Sequence, residues 1–159
     1  MMTSAQKWSL FLLRIALGWL FFYAGLVKVL NPEWSARGYL EGAQTFTGLY
    51  QWLAQPDVIA LTNIFNEWGL VLLGVALLLG LYVRLAGFLG VLLMLLYYFP
   101  VLDFPRIPPH SYLVDEHIVY GMALIVLAVF RAGRFWGLHR WASTWPVCRR
   151  FPKLMDRLG

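Results

Sequence analysis

The chain has 159 residues, of which 60% are hydrophobic and only 13% are charged. Soluble globular domains carry about 25% charged residues, so this composition excludes an ordinary soluble protein and indicates a membrane protein with one domain. The formal net charge is +5, and the presence of a single cysteine, Cys148, excludes an internal disulfide.

Four apolar segments approach the length of about 20 residues that a helix needs to cross the hydrocarbon core of a bilayer. The predicted spans are residues 8–30, 58–81, 83–99 and 112–131. Proline, glycine or a charged residue stands at the end of each segment, as expected where helices begin and stop. The first segment is too long for the apolar region of a signal peptide, and we interpret it as a span.

The connection between the first two spans, residues 31–57, contains apolar residues at helical spacing. They are Phe46, Leu49, Tyr50 and Leu53. This pattern predicts a short amphipathic helix that lies at the membrane interface. Only a few residues separate the second and third spans, which therefore form an antiparallel hairpin, whereas the proline-rich loop 99–111 cannot be helical throughout.

Lysine and arginine residues near the span ends predict the orientation of the chain. One side carries Lys7, Arg84, Arg131, Arg134, Arg140, Arg149, Arg150, Lys153 and Arg157. The other side carries Arg37 and Arg106. Both termini are therefore predicted to face the cytoplasm, with the 31–57 connection facing outward. The basic tail, residues 132–159, includes three tryptophans, Trp136, Trp141 and Trp145. This composition favours contact with anionic lipid headgroups over binding of nucleic acid.

Four ionisable residues lie inside the predicted spans and away from their ends, or nearly so: Arg14, Lys28, Glu67 and Glu116, with His117 beside the last. Such residues face the interior of a bundle and pair with one another, because a charge at bilayer depth costs about 2.5–3.5 kcal/mol on insertion scales. Helical geometry gives each predicted span a stripe of small or polar residues, and the four ionisable residues lie on three of these stripes. In chain order the stripes are Arg14, Gly18, Gly25 and Lys28; Asn63, Glu67 and Gly74; Gly87, Met94 and Tyr98; and Tyr112, Glu116 and Tyr120.

Depth within the spans selects the expected partners. At 1.5 Å per residue, Glu67 falls near the middle of its span, and Arg14 falls about 7 Å to the cytoplasmic side of the middle of its own. Glu116 and Lys28 both fall toward the outer side. The sequence thus predicts two opposite-charge couples, Arg14–Glu67 and Lys28–Glu116, along the polar seam of a four-helix bundle.

Two interpretations of these couples stay open. They either fix the register of the helices, as buried ion pairs can, or surround a cavity for a polar head group such as a quinone ring. His117 is either an ordinary hydrogen-bonded histidine or a residue that binds a ligand. The spacing of acidic and histidine residues predicts no metal site, and no histidine pair is placed to bind a haem.

Three stretches of the sequence form a pattern that extends over about residues 8 to 141. They are RIALGWLFFYAGLVKVLNP, NEWGLVLLGVALLLGLYVRLAG and AGRFWGLHRW. In these stretches the chain resembles the DoxX family, including its DoxD-like branch. The motif residues are Arg14, Gly25, Lys28, Glu67, Gly74, Arg84, Gly133 and Arg134. The closing motif of the family usually continues Leu-Asp, whereas this chain has Leu138-His139.

The resemblance implies a multi-pass protein of a bacterial or archaeal inner membrane. DoxD-like members resemble the membrane subunit of a thiosulfate:quinone oxidoreductase, and other members look like membrane partners of soluble sulfur-transfer or oxidative-stress enzymes. We therefore expect an all-α four-helix membrane bundle with an outward-facing interfacial helix, forming one transmembrane domain over residues 1–159. We also expect contact with membrane lipid, and glycines on several helix faces are compatible with a homodimer.

The expected function is that of a membrane subunit of a quinone-linked oxidoreductase, which oxidises thiosulfate or another small sulfur compound together with a partner redox subunit. Glu67 and Arg14 are expected to bind or protonate the head group of the quinone cofactor. The other expected quinone-binding residues are Lys28, Glu116, His117, Tyr98, Tyr120 and Asn63. The alternative is a non-catalytic scaffold or small transporter that docks a partner protein through its loops.

Overall fold

Six helices and a two-stranded hairpin make up the part of the chain that the structure describes. The computed structural model describes residues 2–107 and 111–138. The helices are α1 (Ser4–Val29), α2 (Arg37–Glu41), α3 (Thr47–Leu53), α4 (Pro56–Leu79), α5 (Val83–Val101) and α6 (Glu116–Val129). Strands β1 (Arg106–Ile107) and β2 (Ser111–Tyr112) pair antiparallel between α5 and α6. A short 3-10 turn, Ala132–Arg134, follows α6.

Local sequence signals explain where the long helices begin and end. Thr3 and Gln6 form a reciprocal capping box at the start of α1, with contacts of 2.8 and 3.3 Å. Pro56 occupies the first turn of α4, where its missing N–H costs nothing. Gly80 ends α4 with a φ of +66°, a conformation that a residue with a side chain adopts only under strain.

Three helices, α1, α4 and α5, are long and apolar enough to cross a membrane, and a fourth apolar helix, α6, is shorter. The predicted span 112–131 is therefore too long, since α6 has 14 residues and a length of about 21 Å. Tyr112 belongs to β2 instead, and Asp115 caps the helix by accepting a hydrogen bond from Ile118 N at 3.1 Å. The chain is consistent with an all-α membrane protein, with a fourth apolar helix shorter than expected.

The connections between the long helices also differ from the predictions. The 31–57 connection contains two short helices, α2 and α3, where one was predicted. The proline-rich loop forms the β1–β2 hairpin, which the sequence analysis missed. Residues 80–82 join α4 to α5, as predicted. Most of the predicted basic tail, residues 139–159 with Trp141, Trp145 and Cys148, lies outside the described residues.

The short helices α2 and α3 cover the last turn of α5. Pro100 has no N–H to donate to the Leu96 carbonyl, and the Tyr50 hydroxyl donates to that carbonyl instead, at 3.2 Å. Two further side chains bond carbonyls of the same turn: Thr45 bonds Phe99 O at 2.5 Å, and Tyr39 bonds Tyr97 O. These bonds carry α5 past its proline to Val101, beyond the predicted end at residue 99.

The long helices pack as two antiparallel pairs, α1 with α4 and α5 with α6. In the first pair, a Cβ on Gly18 would lie 2.9 Å from Leu78 N, and a Cβ on Gly25 would lie 2.6 Å from Val71 N. Small residues on the predicted stripes thus allow close backbone approach. In this register the first turns of α4 extend beyond the end of α1, which leaves room at that end of the bundle.

Apolar side chains from all four long or apolar helices fill the centre of the bundle. The fully or nearly fully buried ones include Leu17, Phe21, Leu70, Leu77, Val83, Leu124 and Leu127. One end, here called the loop end, carries residues 30–56, 102–107 and 111–115. The other, here called the terminus end, carries the start of α1, the 80–82 turn and residues 131–138.

Candidate functional site

Lys28 lies in the last turn of α1 and is held by side chains from two other helices. Its ammonium donates to Asn66 Oδ1 on α4 at 2.8 Å and to the Tyr97 hydroxyl on α5 at 3.1 Å. The same hydroxyl donates to Asn66 Oδ1 at 2.9 Å, which closes a three-membered network. An ammonium has three N–H donors, so these two bonds leave one donor for a ligand.

Aromatic rings shield the Lys28 charge. The ammonium lies 4.6 Å from the ring centroid of Trp34 and 5.1 Å from that of Tyr97. The negative face of an aromatic ring attracts a cation, and the attraction grows as water is removed. This arrangement holds a charged donor at the loop end within a mostly aromatic surround.

A polar cavity of about 700 Å³ opens beside Lys28. Ligand pockets commonly measure about 300–1,000 Å³. The side chains that give the cavity its chemistry are Lys28, Trp34, Tyr39, Asn66, Tyr97, Asp115, Glu116 and His117. It therefore combines one cation, two carboxylates, a histidine and three aromatic rings.

Asp115 and His117 form the acidic side of this cavity at the start of α6. Asp115 is only 8% exposed; one of its oxygens caps the helix, and the other accepts a 2.5 Å hydrogen bond from His117 Nδ1. The His117 ring meets the Tyr97 ring edge-on at 5.6 Å. With Nδ1 engaged by the carboxylate, Nε2 is the atom of His117 that can exchange a proton with a ligand.

Tyr39 of α2 completes the wall as a neutral donor. Burial raises the pKa of its phenol from 10.0 to about 12, and the charges of Asp115 and Glu116 contribute in the same direction. Its hydroxyl donates to the Tyr97 carbonyl. Tyr39 therefore stays protonated at physiological pH and fixes α2 to α5 beside the cavity.

The predicted Arg14–Glu67 couple is wrong. The register of α1 on α4 sets Glu67 against the last turn of α1, where its carbonyl meets Gly25 and its charge acts on Lys28. Arg14 lies 14 residues earlier on α1, about 21 Å away along the helix axis. The error came from assuming that the midpoints of the two spans lie at the same depth.

Arg14 is instead fully buried at the terminus end. Its Nη1 donates to Ala132 O at 3.0 Å and its Nη2 to Trp136 O at 3.3 Å. Gly80 and Gly137 make room for the guanidinium, since a Cβ on either would lie within 2.8 Å of Nη1. Arg14 thus joins the first helix to the segment after the last one, and it does not reach the cavity.

The other predicted site residues fall into two groups. Lys28, Glu116 and His117 line the cavity, but Lys28 bonds Asn66 and Tyr97 rather than forming the expected couple with Glu116. Three residues lie next to the cavity without lining it: Asn63 accepts from Ala36 N at 3.0 Å, Tyr98 donates to Leu113 O at 2.7 Å, and Tyr120 packs edge-on against Phe21.

Sequence reasoning missed five of the side chains that give the cavity its chemistry: Trp34, Tyr39, Asn66, Tyr97 and Asp115. Two of them carried a usable signal. Asn66 is three residues after Asn63 and therefore near the same helix face. Asp115 directly precedes an apolar helical run, as a helix cap does.

Comparison with known protein families decides the family. The DoxX model matches residues 9–102, more than half of the chain. The chain belongs to the DoxX family. DoxX is a membrane family whose members are often associated with oxidoreductase-linked subunits, and the chain is accordingly a multi-pass membrane protein.

The DoxX match covers only part of the cavity. It includes Lys28, Asn66 and Tyr97 but ends before the Asp115–His117 pair. It also ends before the A-G-R motif that contributed to the resemblance at the sequence level. Searches of curated proteins and of solved structures found no significant match.

Proposed function

We propose that this DoxX protein is the membrane subunit of a quinone-linked oxidoreductase and that the polar cavity binds the quinone head group. The observation that carries the proposal is the Lys28 ammonium, which keeps one donor for a ligand and faces a cavity that also contains the Asp115–His117 pair. We also propose that the chain belongs to the DoxD-like branch of the family and that the electron donor is thiosulfate or another small sulfur compound.

The residues of the cavity fit such a ring. Trp34 and Tyr97 offer aromatic surfaces, and Lys28 offers an N–H to a carbonyl oxygen. A bound quinone would accept two electrons and two protons. Lys28 would hold a carbonyl oxygen of the ring and offset negative charge on it. His117, held at Nδ1 by Asp115, would supply one of the two protons from Nε2, and the other would come from water.

The electrons come from a partner redox subunit in this proposal. Two thiosulfate ions that join through a new S–S bond release two electrons, which match the two that the quinone takes up. The proposal assigns Arg14 a structural role, because its contacts lie at the terminus end. Glu67 acts through the charge of Lys28 and not by direct contact with the ring.

Tryptophan fluorescence tests this proposal. The purified protein is titrated in mild detergent with tailless ubiquinone and menaquinone analogues, which quench nearby indoles, and separately with thiosulfate. We expect saturable quenching by a quinone at micromolar concentration and none by thiosulfate alone. Absence of quinone binding at that level contradicts the proposal, and saturable binding of thiosulfate alone supports the transporter alternative.

A matched pair of variants locates the quenched indole. Trp34→Leu removes the tryptophan that lines the cavity, whereas Trp68→Leu removes a half-exposed tryptophan of α4 that does not line it. We expect the first variant to lose most of the saturable signal and the second to keep it. The opposite result places the quinone elsewhere on the protein.

A further inference from the structure

A second cavity lies directly behind the first. It measures about 330 Å³ and shares Ala36, Tyr39, Asn66 and Tyr97 with the polar cavity. Its other lining residues come from α2 to α5 and are almost all apolar: Leu40, Tyr50, Trp52, Leu53, Val58, Leu61, Thr62, Phe65, Leu93 and Leu96. We call it the apolar groove, and the shared residues border both spaces.

The hydroxyls of Tyr50 and Thr62 in the apolar groove already have partners within the protein. The Tyr50 hydroxyl donates to Leu96 O at 3.2 Å. The Thr62 hydroxyl lies 3.2 Å from both Leu53 O and Val58 O. Because a polar ligand would find few unsatisfied groups here, the groove suits a hydrocarbon chain.

The groove is bordered by side chains on the outer surface of the bundle. Leu61 is 56% exposed and Phe65 is 69% exposed, and both belong to α4, a helix long and apolar enough to cross a membrane. Exposed apolar side chains on such a helix contact lipid acyl chains. A chain in the groove can therefore pass between α4 and α5 into the lipid.

Two of the shared residues, Asn66 and Tyr97, have polar surroundings on one side and apolar surroundings on the other. Asn66 Oδ1 and the Tyr97 hydroxyl point to Lys28, while the same two side chains also line the groove. A molecule that fills both spaces must therefore have a polar group at one end and an apolar chain at the other.

Because the two spaces share these lining residues, we infer that the apolar groove holds the isoprenoid tail of the quinone, whose head group occupies the polar cavity. The inference rests on the proposed function and adds the route of entry, which runs laterally from the lipid between α4 and α5 beneath α2 and α3. The ligand class is thereby narrowed to lipid-soluble quinones that carry a tail.

Photolabelling in mild detergent tests this inference. The probe is a quinone whose tail ends in a diazirine, and labelled peptides are mapped by mass spectrometry. We expect labels on groove residues such as Leu61, Phe65 and Leu96, and we expect an excess of the tailless quinone to displace the probe. Labels confined to other surfaces, with displacement intact, overturn the tail assignment and leave the head-group site standing.

Two tryptophan substitutions on one face of α5 provide the control. Leu96 lines the groove and is 44% exposed, whereas Leu92 lies one turn away, does not line it and is 45% exposed. We expect Leu96→Trp to reduce groove labelling at least fivefold while binding of the tailless quinone is kept, and Leu92→Trp to change neither. Equal labelling in the two variants contradicts the inference.

The failure of the proposed function gives a different result. If the probe labels the groove but tailless quinone neither binds nor competes, the head-group proposal is wrong and the groove is occupied by an acyl chain of any kind. If neither compound binds, both the function and the inference are wrong.

Discussion

Helix α1 carries two cations within its apolar stretch, Arg14 and Lys28, and the partners of the two cations differ in kind. Arg14 is fully buried and donates to backbone carbonyls of residues 132 and 136. Lys28 donates to the side chains of Asn66 and Tyr97 and borders a cavity of about 700 Å³. One cation is enclosed, and the other is accessible to a ligand.

The difference separates a structural charge from a functional one. The carbonyls of residues 132 and 136 accept from Arg14 only when the segment after α6 is folded against α1, so these bonds stabilise the fold. The partners of Lys28 also bond each other, at 2.9 Å, and therefore keep a partner if the lysine is removed. Substitutions at the two positions should accordingly change different measured quantities.

The largest expected effect follows from removing the enclosed cation. Arg14→Met removes two charge-assisted hydrogen bonds, to Ala132 O and Trp136 O, and we expect the free energy of unfolding to fall by about 3–5 kcal/mol. Unfolding in dodecyl sulfate measures this change. Arg14→Lys keeps the charge but lacks the planar guanidinium that bonds both carbonyls at once, so it should restore part of the lost stability. Unchanged stability of Arg14→Met would show that the segment after α6 is held by other contacts.

Removing the accessible cation should affect binding instead. Lys28→Met deletes a charge-assisted hydrogen bond to the quinone, and we expect a 10- to 100-fold weaker affinity, equivalent to about 1.5–3 kcal/mol. The stability should change by no more than about 1 kcal/mol. Lys7→Met, on the same helix at the terminus end, is the matched control and should retain binding. Loss of stability with intact binding would reverse the assignment of the two cations.

Tyr97 and Tyr98, which are adjacent on α5, should differ in the same way. Tyr97→Phe removes a hydroxyl that bonds both Lys28 and Asn66, and we expect about fivefold weaker quinone binding, or about 1 kcal/mol. Tyr98→Phe removes only a bond to Leu113 O and should reduce stability by about 1 kcal/mol without affecting affinity. Titration calorimetry and unfolding measure the two quantities. Equal affinities for both variants would argue against Tyr97 as a wall residue.

A weaker effect concerns the ionisation of Tyr39 at the loop end, which should occur at a higher pH than in a free tyrosine. Because the folded pKa of Tyr39 is raised from 10.0 to about 12 by burial first and then by Asp115, the folded state favours the neutral phenol. The contribution to stability is therefore present below pH 10 and is lost as the pH rises through about 12. The ultraviolet difference between wild type and Tyr39→Phe should show ionisation near pH 12. Ionisation near the ordinary pKa would mean that water fills this wall.

The helices were largely predictable because their signals are local. Apolar length located α1, α4 and α5, and the stripe glycines marked the faces where helices approach closely. The end of α5 was not predictable, because Pro100 normally stops a helix and the hydroxyls of Tyr50 and Thr45 that compensate for it lie some 50 residues earlier in the chain. Tertiary contacts of this kind leave no local pattern.

The site was only partly predictable for a related reason. Lys28, Glu116 and His117 were identified because charged and histidine side chains inside apolar segments are few. Tyr97 was missed in favour of Tyr98, since the stripe that contains Tyr98 is the buried face of α5 and not the cavity wall. The Arg14–Glu67 couple failed because the relative shift of two helices depends on their packing, which the position of a residue within its own span does not reveal.

The bonds of Arg14 connect residues 118 and 122 positions apart in the sequence. A ribosome that has just completed α1 has therefore not yet made either acceptor. The guanidinium enters the bilayer early and must remain with water or lipid phosphates until residues 132–136 leave the translocation machinery. Closure of the terminus end is consequently a late event in biogenesis. In a nascent chain arrested before residue 132, the Arg14 guanidinium still lacks both of its acceptors.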